Sequence, residues 1–216
     1  MSNPFEVIYR KNKWSGGGSG YGSSPAFTQP YRDWLANFLQ SVRPGPAVLK
    51  VIDFGCGDWQ SSKLIDWSGC QYLGYDVVPD VVQRNRELHG REHIQFQLSQ
   101  VDFTGITDFI ADVLIVKDVM QHWPLATVQQ FLRLPWQVEY ALFVNDTVSP
   151  DATKALNADC RLGDYQLRDL ALAPFNLLVR NVLSWESPDD PVKFPGRKTV
   201  QLWQRSEEQP RFVTTP

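Results

Sequence analysis

Val48-Leu49-Lys50-Val51-Ile52-Asp53-Phe54-Gly55-Cys56-Gly57-Asp58-Trp59 is the stretch on which the reading of this chain turns. A β-branched run ends in an acid, the backbone passes two glycines one residue apart, and Ser61 and Ser62 open a helical pattern. The stretch predicts a strand, a tight turn and a helix from about Gln60 to Asp66. Glycine suits such a turn because it accepts positive φ and lets a ligand approach the backbone. The first amides of a following helix lack intrahelical partners. A site for a polar ligand is expected here.

Working outward, Gln71-Tyr72-Leu73-Gly74-Tyr75-Asp76 reads as a second strand ending in an acid, followed by a helix over Asp80 to His89 with Pro79 in its first turn. His93 to Gln97 reads as a short strand, Val101-Asp102-Phe103 as a loop, and Ala111 to Val116 as a strand apolar on both faces. Pro124 to Leu134 reads as a helix and Tyr140 to Val144 as another buried strand. Continuous apolar strands alternating with helices imply a parallel sheet covered on both sides. A weaker helical pattern spans Tyr165 to Leu172. Phe175 to Trp185 and Thr199 to Arg205 then read as two strands joined through Ser187 to Gly196 without a helix, hence antiparallel.

Upstream, Ser15-Gly16-Gly17-Gly18-Ser19-Gly20-Tyr21-Gly22-Ser23-Ser24 reads either as a flexible linker or as a lid, since Trp14, Tyr21 and Phe27 flank it. Thr28 is placed to cap a helix from about Pro30 to Val42, ended by Pro44-Gly45-Pro46. Three regions are expected: a lid and helical extension over 1–45, the α/β domain over 46–206, and a flexible tail over 207–216.

The 216 residues are 43% hydrophobic and 21% charged, the balance of an ordinary globular domain. Net charge is -3 and the pI is about 5.6, so no basic field is available for a nucleic-acid backbone. Cys56, Cys70 and Cys160 form no CxxC pair, which suggests neither a disulfide framework nor a zinc site and fits a reducing, cytoplasmic compartment. No apolar run approaches the about 20 residues of a membrane span, and no membrane partner is expected.

Ligands of an open α/β sheet gather at the carboxyl ends of its strands. The assignments place Asp53, Gly55, Gly57, Asp76, Asp102, Lys117 and Asp118 there. After Gly57 come Asp58, Trp59 and Gln60 with no third glycine, and Asp53 and Asp58 would set negative charge beside a phosphate, which argues against a dinucleotide. Asp76 follows Asp53 by 23 residues, where a carboxylate can accept both hydroxyls of a ribose. A nucleoside without phosphates and with positive charge is the implied ligand.

At this point the chain resembles the class I S-adenosylmethionine-dependent methyltransferases of the small-molecule type, over roughly Val48 to Asp146. The resemblance rests on Val51 to Gly57, Tyr75-Asp76, Val101-Asp102-Phe103, and Val116-Lys117-Asp118-Val119-Met120-Gln121-His122-Trp123-Pro124. It implies a Rossmann-like, seven-stranded, mostly parallel sheet with an antiparallel C-terminal hairpin and helices on both faces. It also implies S-adenosyl-L-methionine as cofactor. Gly55, Cys56 and Gly57 would line the methionine part, Asp53 would hold the amino end directly or through the turn, and Asp76 would bind the ribose. Asp102 would accept from the adenine amino group, with Phe103 or Val77 on the ring; its alternative is a capping or solvated loop acid.

In similar enzymes the segment holding Lys117, Asp118 and His122 lies between cofactor and acceptor. An Asp118–His122 pair could there orient a general base; the alternative is a packed histidine beside a surface ion pair. The expected activity is methyl transfer to oxygen or nitrogen of a small molecule, a sugar or natural-product intermediate, by a monomer or homodimer. Alternatives are methylation of a protein or peptide side chain and a cofactor-binding module without turnover. The chain lacks an Asn/Asp-Pro-Pro-Tyr/Phe motif, which argues against amino methylation of bases or of glutamine. Acceptor contacts are expected from the N-terminal segment, Thr147 to Asp164 and Pro188 to Arg197, with Trp14, Tyr21, Tyr31, Trp185 and Trp203 as candidates.

Overall fold

The computed structural model describes residues 3–14, 16–43, 45–148, 155–186, 197–206 and 212. Two units make up the chain, Met1–Thr107 and Asp108–Pro216. In the first, β1 (Leu49–Phe54), β2 (Cys70–Asp76) and β3 (Ile94–Leu98) form parallel ladders in the order β3-β2-β1. Leu49 faces Cys70 and Phe54 faces Tyr75 across β1 and β2, while Tyr72 to Asp76 pair with Ile94 to Leu98. Val51, Ile52, Phe54, Tyr72 and Tyr75 are all buried, as expected of strands covered on both faces.

Helix α1 (Pro4–Arg10) opens this unit, capped by the Asn3 side chain on the Phe5 amide. The sequence reading did not resolve it, because seven residues are too few to show a helical period. Helix α2 (Gln29–Val42) buries Tyr31, Leu35 and Leu39 at four-residue spacing, and α3 (Pro79–His89) begins at its proline.

The helix expected over Gln60 to Asp66 is corrected to a single 3-10 turn, Ser62–Leu64. Side chains draw the segment elsewhere: Ser61 Oγ donates to Thr28 Oγ1 (2.9 Å), and Trp67 Nε1 takes the Ser62 carbonyl (2.8 Å). The Gly/Ser run is built of turns, with Gly17 N on Trp14 O and Gly20 N on Gly17 O.

In the second unit, β4 (Ile110–Lys117) and β5 (Gln137–Val148) run parallel, while β6 (Arg180–Trp185) and β7 (Arg197–Gln204) are antiparallel, in the order β4-β5-β7-β6. The fold class is the expected one: α/β, seven strands among the described residues, mostly parallel, with antiparallel strands at the C-terminal end. The helix expected over Tyr165 to Leu172 is absent. Its amides are taken from outside the segment: Gln166 N donates to Gln121 O, Arg168 N to Asp146 O, and Leu170 N to the Gln201 side chain. The connection Ser187 to Gly196 and nearly all of the tail over 207–216 lie outside the described residues.

Helix α4 (Leu125–Leu132) fixes the core of the second unit through Val128, Phe131 and Leu132. Phe131 is fully buried between Trp123 and Trp136, ring centroids 5.4 and 5.2 Å away. Phe131→Ala is expected to cost about 3–5 kcal/mol, the range for deleting a buried aromatic side chain. Urea denaturation measures it, and a loss below about 1 kcal/mol would mean the site collapses around the smaller side chain.

Candidate cofactor turn and charged cluster

Each site is built within its own unit. In the first, the chain leaves β1 through three left-handed residues at alternate positions, Gly55 (φ 76), Gly57 (φ 59) and Trp59 (φ 57). Glycine meets that demand at the first two. At Trp59 the strained backbone is held by burial of the indole, which packs edge-on against Tyr72 and Phe96 at 5.5 and 5.3 Å.

The turn's amides are committed within the protein. Gly55 N and Cys56 N both donate to the Tyr75 carbonyl (2.8 and 2.9 Å), Gly57 N to Asp76 Oδ2 (2.9 Å), and Asp58 N to Ser19 Oγ (3.0 Å). A pyrophosphate would need those amides, so the turn fits a phosphate-free ligand. Asp76 is buried and also accepts from Val78 N at 3.0 Å. Burial lifts its carboxyl to about 6, against the pull of the Val78 and Gly57 amides. Asp53, likewise buried, takes the Tyr72 hydroxyl at 2.7 Å. The Cys56 thiol is pushed well up by burial, so it stays protonated, and the neighbouring Asn85 amide donates to the Gly57 carbonyl at 2.7 Å.

The N-terminal segment covers this turn. Ser19 N donates to Asp58 Oδ2 (3.2 Å) while Asp58 N donates back to Ser19 Oγ, and Tyr9 Oη lies 2.7 Å from the same Oγ. A Cβ on Gly57 would overlap Ser19 Oγ and stand 3.1 Å from Tyr9 Oη. Asn3 ties the start of α1 to the Val77 carbonyl (2.6 Å), just past Asp76. Trp14 packs on Tyr9 at 5.4 Å and Tyr21 on Phe27 at 5.5 Å. Sequence reading named the glycines and aromatics of this segment but missed Tyr9, Ser19 and Asn85, which carry no motif of their own.

Phe103 is buried, left-handed (φ 71), and meets Phe54 edge-on at 6.0 Å. Asp102 is exposed and accepts from Thr104 N at 3.0 Å, a bond that holds its carboxyl below the ordinary range. Tyr31 is 2% exposed, which makes it a core residue of this unit.

In the second unit β4 delivers Lys117, Asp118 and His122, and β7 adds a residue that sequence reading did not single out. Lys198, 1% exposed, lies opposite Asp146 in the β5–β7 register; its ammonium bonds Asp146 Oδ2 at 2.8 Å and also bonds Asp118 Oδ1. Lys117 Nζ takes the other Asp118 oxygen at 2.6 Å. Burial opposes the charge on Asp118, yet Lys117 and Lys198 hold its carboxyl down to about 2. The chain is left-handed at Asp118 (φ 60), whose amide bonds the Val144 carbonyl.

His122 Nδ1 lies 2.9 Å from the Asp164 carbonyl, which assigns the proton to Nδ1, and its Nε2 is 3.5 Å from Gln121 Nε2. Burial lowers the imidazole pKa, so the ring is neutral at pH 7. Arg168, fully buried, ties this segment down by donating to the carbonyls of Met120, Trp123 and Ala158. Trp203, 1% exposed, is a core residue packed on Phe212 at 4.6 Å. Among the described residues no cluster is placed to hold a metal, and no helix is long and apolar enough to cross a membrane.

The chain is similar to known proteins in part of its sequence and in its fold. Residues 52–138 match a family model described as a methyltransferase domain, a span that includes Asp53, Gly57, Asp76, Lys117, Asp118 and His122. The magnesium protoporphyrin IX methyltransferase ChlM of Synechocystis PCC 6803, solved with bound SAH, is similar in fold: TM-score 0.60, 13% identity, 94% of this chain and 96% of that one covered. The methyltransferase domain of bacterial CtHen1-CN gives a TM-score of 0.56 at 19% identity, over 81% of this chain and 98% of that one. TehB of Haemophilus influenzae gives 0.57 at 12% identity, over 84% and 67%.

The buried cluster makes a signed prediction. A carboxyl held at about 2 adds stability that is present above its ordinary value near 3.8 and lost as pH falls toward 2. Lys198→Met leaves Asp118 and Asp146 without their shared cation, so it is expected to cost about 3–5 kcal/mol at pH 7. Because the Asp118 carboxyl takes up its proton only as pH falls from about 4 toward 2, the deficit should hold steady from pH 7 to pH 4 and narrow below pH 4 in urea denaturation. A deficit independent of pH would show that Lys198 contributes packing and not charge.

Proposed function

We propose that this chain, which carries the methyltransferase domain and fold of the class I S-adenosylmethionine-dependent enzymes, methylates an oxygen or nitrogen of a small molecule such as a sugar or a natural-product intermediate. The observation that carries the small-molecule reading is the N-terminal cover. Ser19, Asp58 and Tyr9 close directly over Gly57, which suits an enclosed pocket and not the open groove a protein side chain would need. The net charge of -3 adds that a polyanionic acceptor is disfavoured.

S-adenosylmethionine, when bound, supplies a methyl group already activated on a sulfonium. The protein's task is then orientation, exclusion of water and, for an acceptor that must lose a proton, a base. In this reading Asp76 holds the ribose hydroxyls, the backbone of Gly55, Cys56 and Gly57 lines the methionine end, and Asp53 acts through the turn. Asp102 accepts from the adenine amino group, and Phe103 and Val77 pack on the ring. His122 is the base: its proton sits on Nδ1, fixed by the Asp164 carbonyl, so the basic nitrogen of the neutral ring is Nε2, which faces the Gln121 amide at 3.5 Å. Asp118 supplies a fixed charge near it, and Lys117 holds that carboxylate ionised.

Isothermal titration with S-adenosylhomocysteine tests the cofactor site, and absence of binding at high micromolar ligand would overturn the reading. Asp76→Ala should weaken binding at least tenfold, whereas an unchanged affinity would put the ribose elsewhere. Because the carboxyl sits at about 6 and the ionised form is the acceptor of both hydroxyls, wild-type affinity should fall by up to tenfold per pH unit below pH 6. With methyl-labelled cofactor, label appearing in the small-molecule fraction supports the acceptor class. Label in protein alone would favour side-chain methylation, and no transfer would favour a binding module.

A further inference from the structure

The hydrogen-bond count at the turn points to one more element of recognition, which rests on the cofactor reading above. S-adenosylmethionine ends in an α-ammonium and an α-carboxylate. Asp53, Asp58 and Asp76 surround the turn, so positive charge is well served there. A carboxylate is not served by the turn itself, because the amides of Gly55, Cys56, Gly57 and Asp58 are all engaged by protein oxygens.

The cover above Gly57 holds a donor. Ser19 Oγ has two acceptor positions and one hydrogen, and Tyr9 Oη contributes one hydrogen more. The Asp58 amide fills one acceptor position on Ser19, and the 2.7 Å bond between the two hydroxyls uses one of the two hydrogens, whichever atom donates it. One hydroxyl hydrogen therefore remains in the pair, and Tyr9 Oη and Ser19 Oγ both lie against the position a Gly57 side chain would occupy. Burial, with Asp76 as the next cause, raises the Tyr9 phenol well above its ordinary value, so it keeps its proton at every working pH. The reciprocal bonds between Ser19 and Asp58 fix the pair on the turn, and the Trp14 ring backs the phenol at 5.4 Å.

We infer that the Tyr9–Ser19 hydroxyl pair is the hydrogen-bond donor to the α-carboxylate of the cofactor's amino-acid end. The N-terminal cover is thereby a recognition element for the amino acid half of the ligand, not only a barrier to water. A carboxylate there accepts a charge-assisted bond, shorter and stronger than one between neutral groups.

The discriminating probes are S-adenosylhomocysteine and 5′-methylthioadenosine, which share the nucleoside and thioether and differ by the amino acid end. Isothermal titration of both into wild type and the Tyr9→Phe/Ser19→Ala double variant is the test, with circular dichroism confirming the fold. The double variant should lose tenfold or more in affinity for S-adenosylhomocysteine and keep its affinity for 5′-methylthioadenosine within about twofold. Equal losses for both ligands, or no loss for either, would overturn the assignment while leaving the cofactor reading in place. A wild-type protein that binds neither ligand would overturn the cofactor reading itself. If the double variant does not fold, the single variants Tyr9→Phe and Ser19→Ala decide together: a loss of about threefold or more confined to S-adenosylhomocysteine in either supports the pair, and unchanged affinities in both refute it.

Discussion

The Asp76 carboxylate is the constraint on which the first unit's site depends. One oxygen accepts from the Gly57 amide and the other from Val78, so a single buried acid at the end of β2 fixes both the turn after β1 and the entry to α3. A buried carboxylate is costly unless it is hydrogen-bonded, and here two amides meet that need. The consequence is a group titrating at about 6, close enough to neutrality for its charge to respond to a ligand. The Gly57 bond also withdraws one of the turn's amides from any phosphate, as the Tyr75 carbonyl and Ser19 do the others. The acid thus shapes the turn and also restricts what it accepts.

A different solution holds the second unit together. Lys198 is buried between two carboxylates supplied by the end of β4 and by β5, and the register of β5 against β7 sets it opposite Asp146. An isolated buried ammonium would shift toward neutrality, but two acid partners raise the Lys198 pKa instead. Asp118 adopts a left-handed backbone to bring its carboxylate to both lysines. Arg168 then pins the following segment through the carbonyls of Met120 and Trp123, on either side of His122. Charges held in this way need no rearrangement when a reaction develops new charge nearby, which is the condition for electrostatic help in catalysis.

Much of this was legible in the order of residues. Each buried strand announced itself as a short apolar run, and Asp53, Gly55, Gly57 and Asp76 declared a strand–turn–strand frame because their spacing follows from strand and turn geometry. The helix after Trp59 was misjudged, since Ser61, Ser62 and Trp67 satisfy backbone and side-chain groups in ways a helical pattern does not reveal. The helix over Tyr165 to Leu172 failed for a related reason: partners distant in sequence took its amides. Lys198 was invisible because an isolated lysine in a strand looks like any surface lysine until its cross-strand neighbour is known.

By itself, then, the sequence determined the α/β frame, the glycine turn and the acids that flank it, because these depend on periodicity and on local φ preferences. Only the tertiary structure decided that Tyr9 and Ser19 close over Gly57, that Asp118 is paired to Lys198 80 residues away, and that His122 answers to the Asp164 carbonyl. Those contacts join segments whose separation along the chain carries no pattern. What selects them is the need to give every buried donor, acceptor and charge a partner.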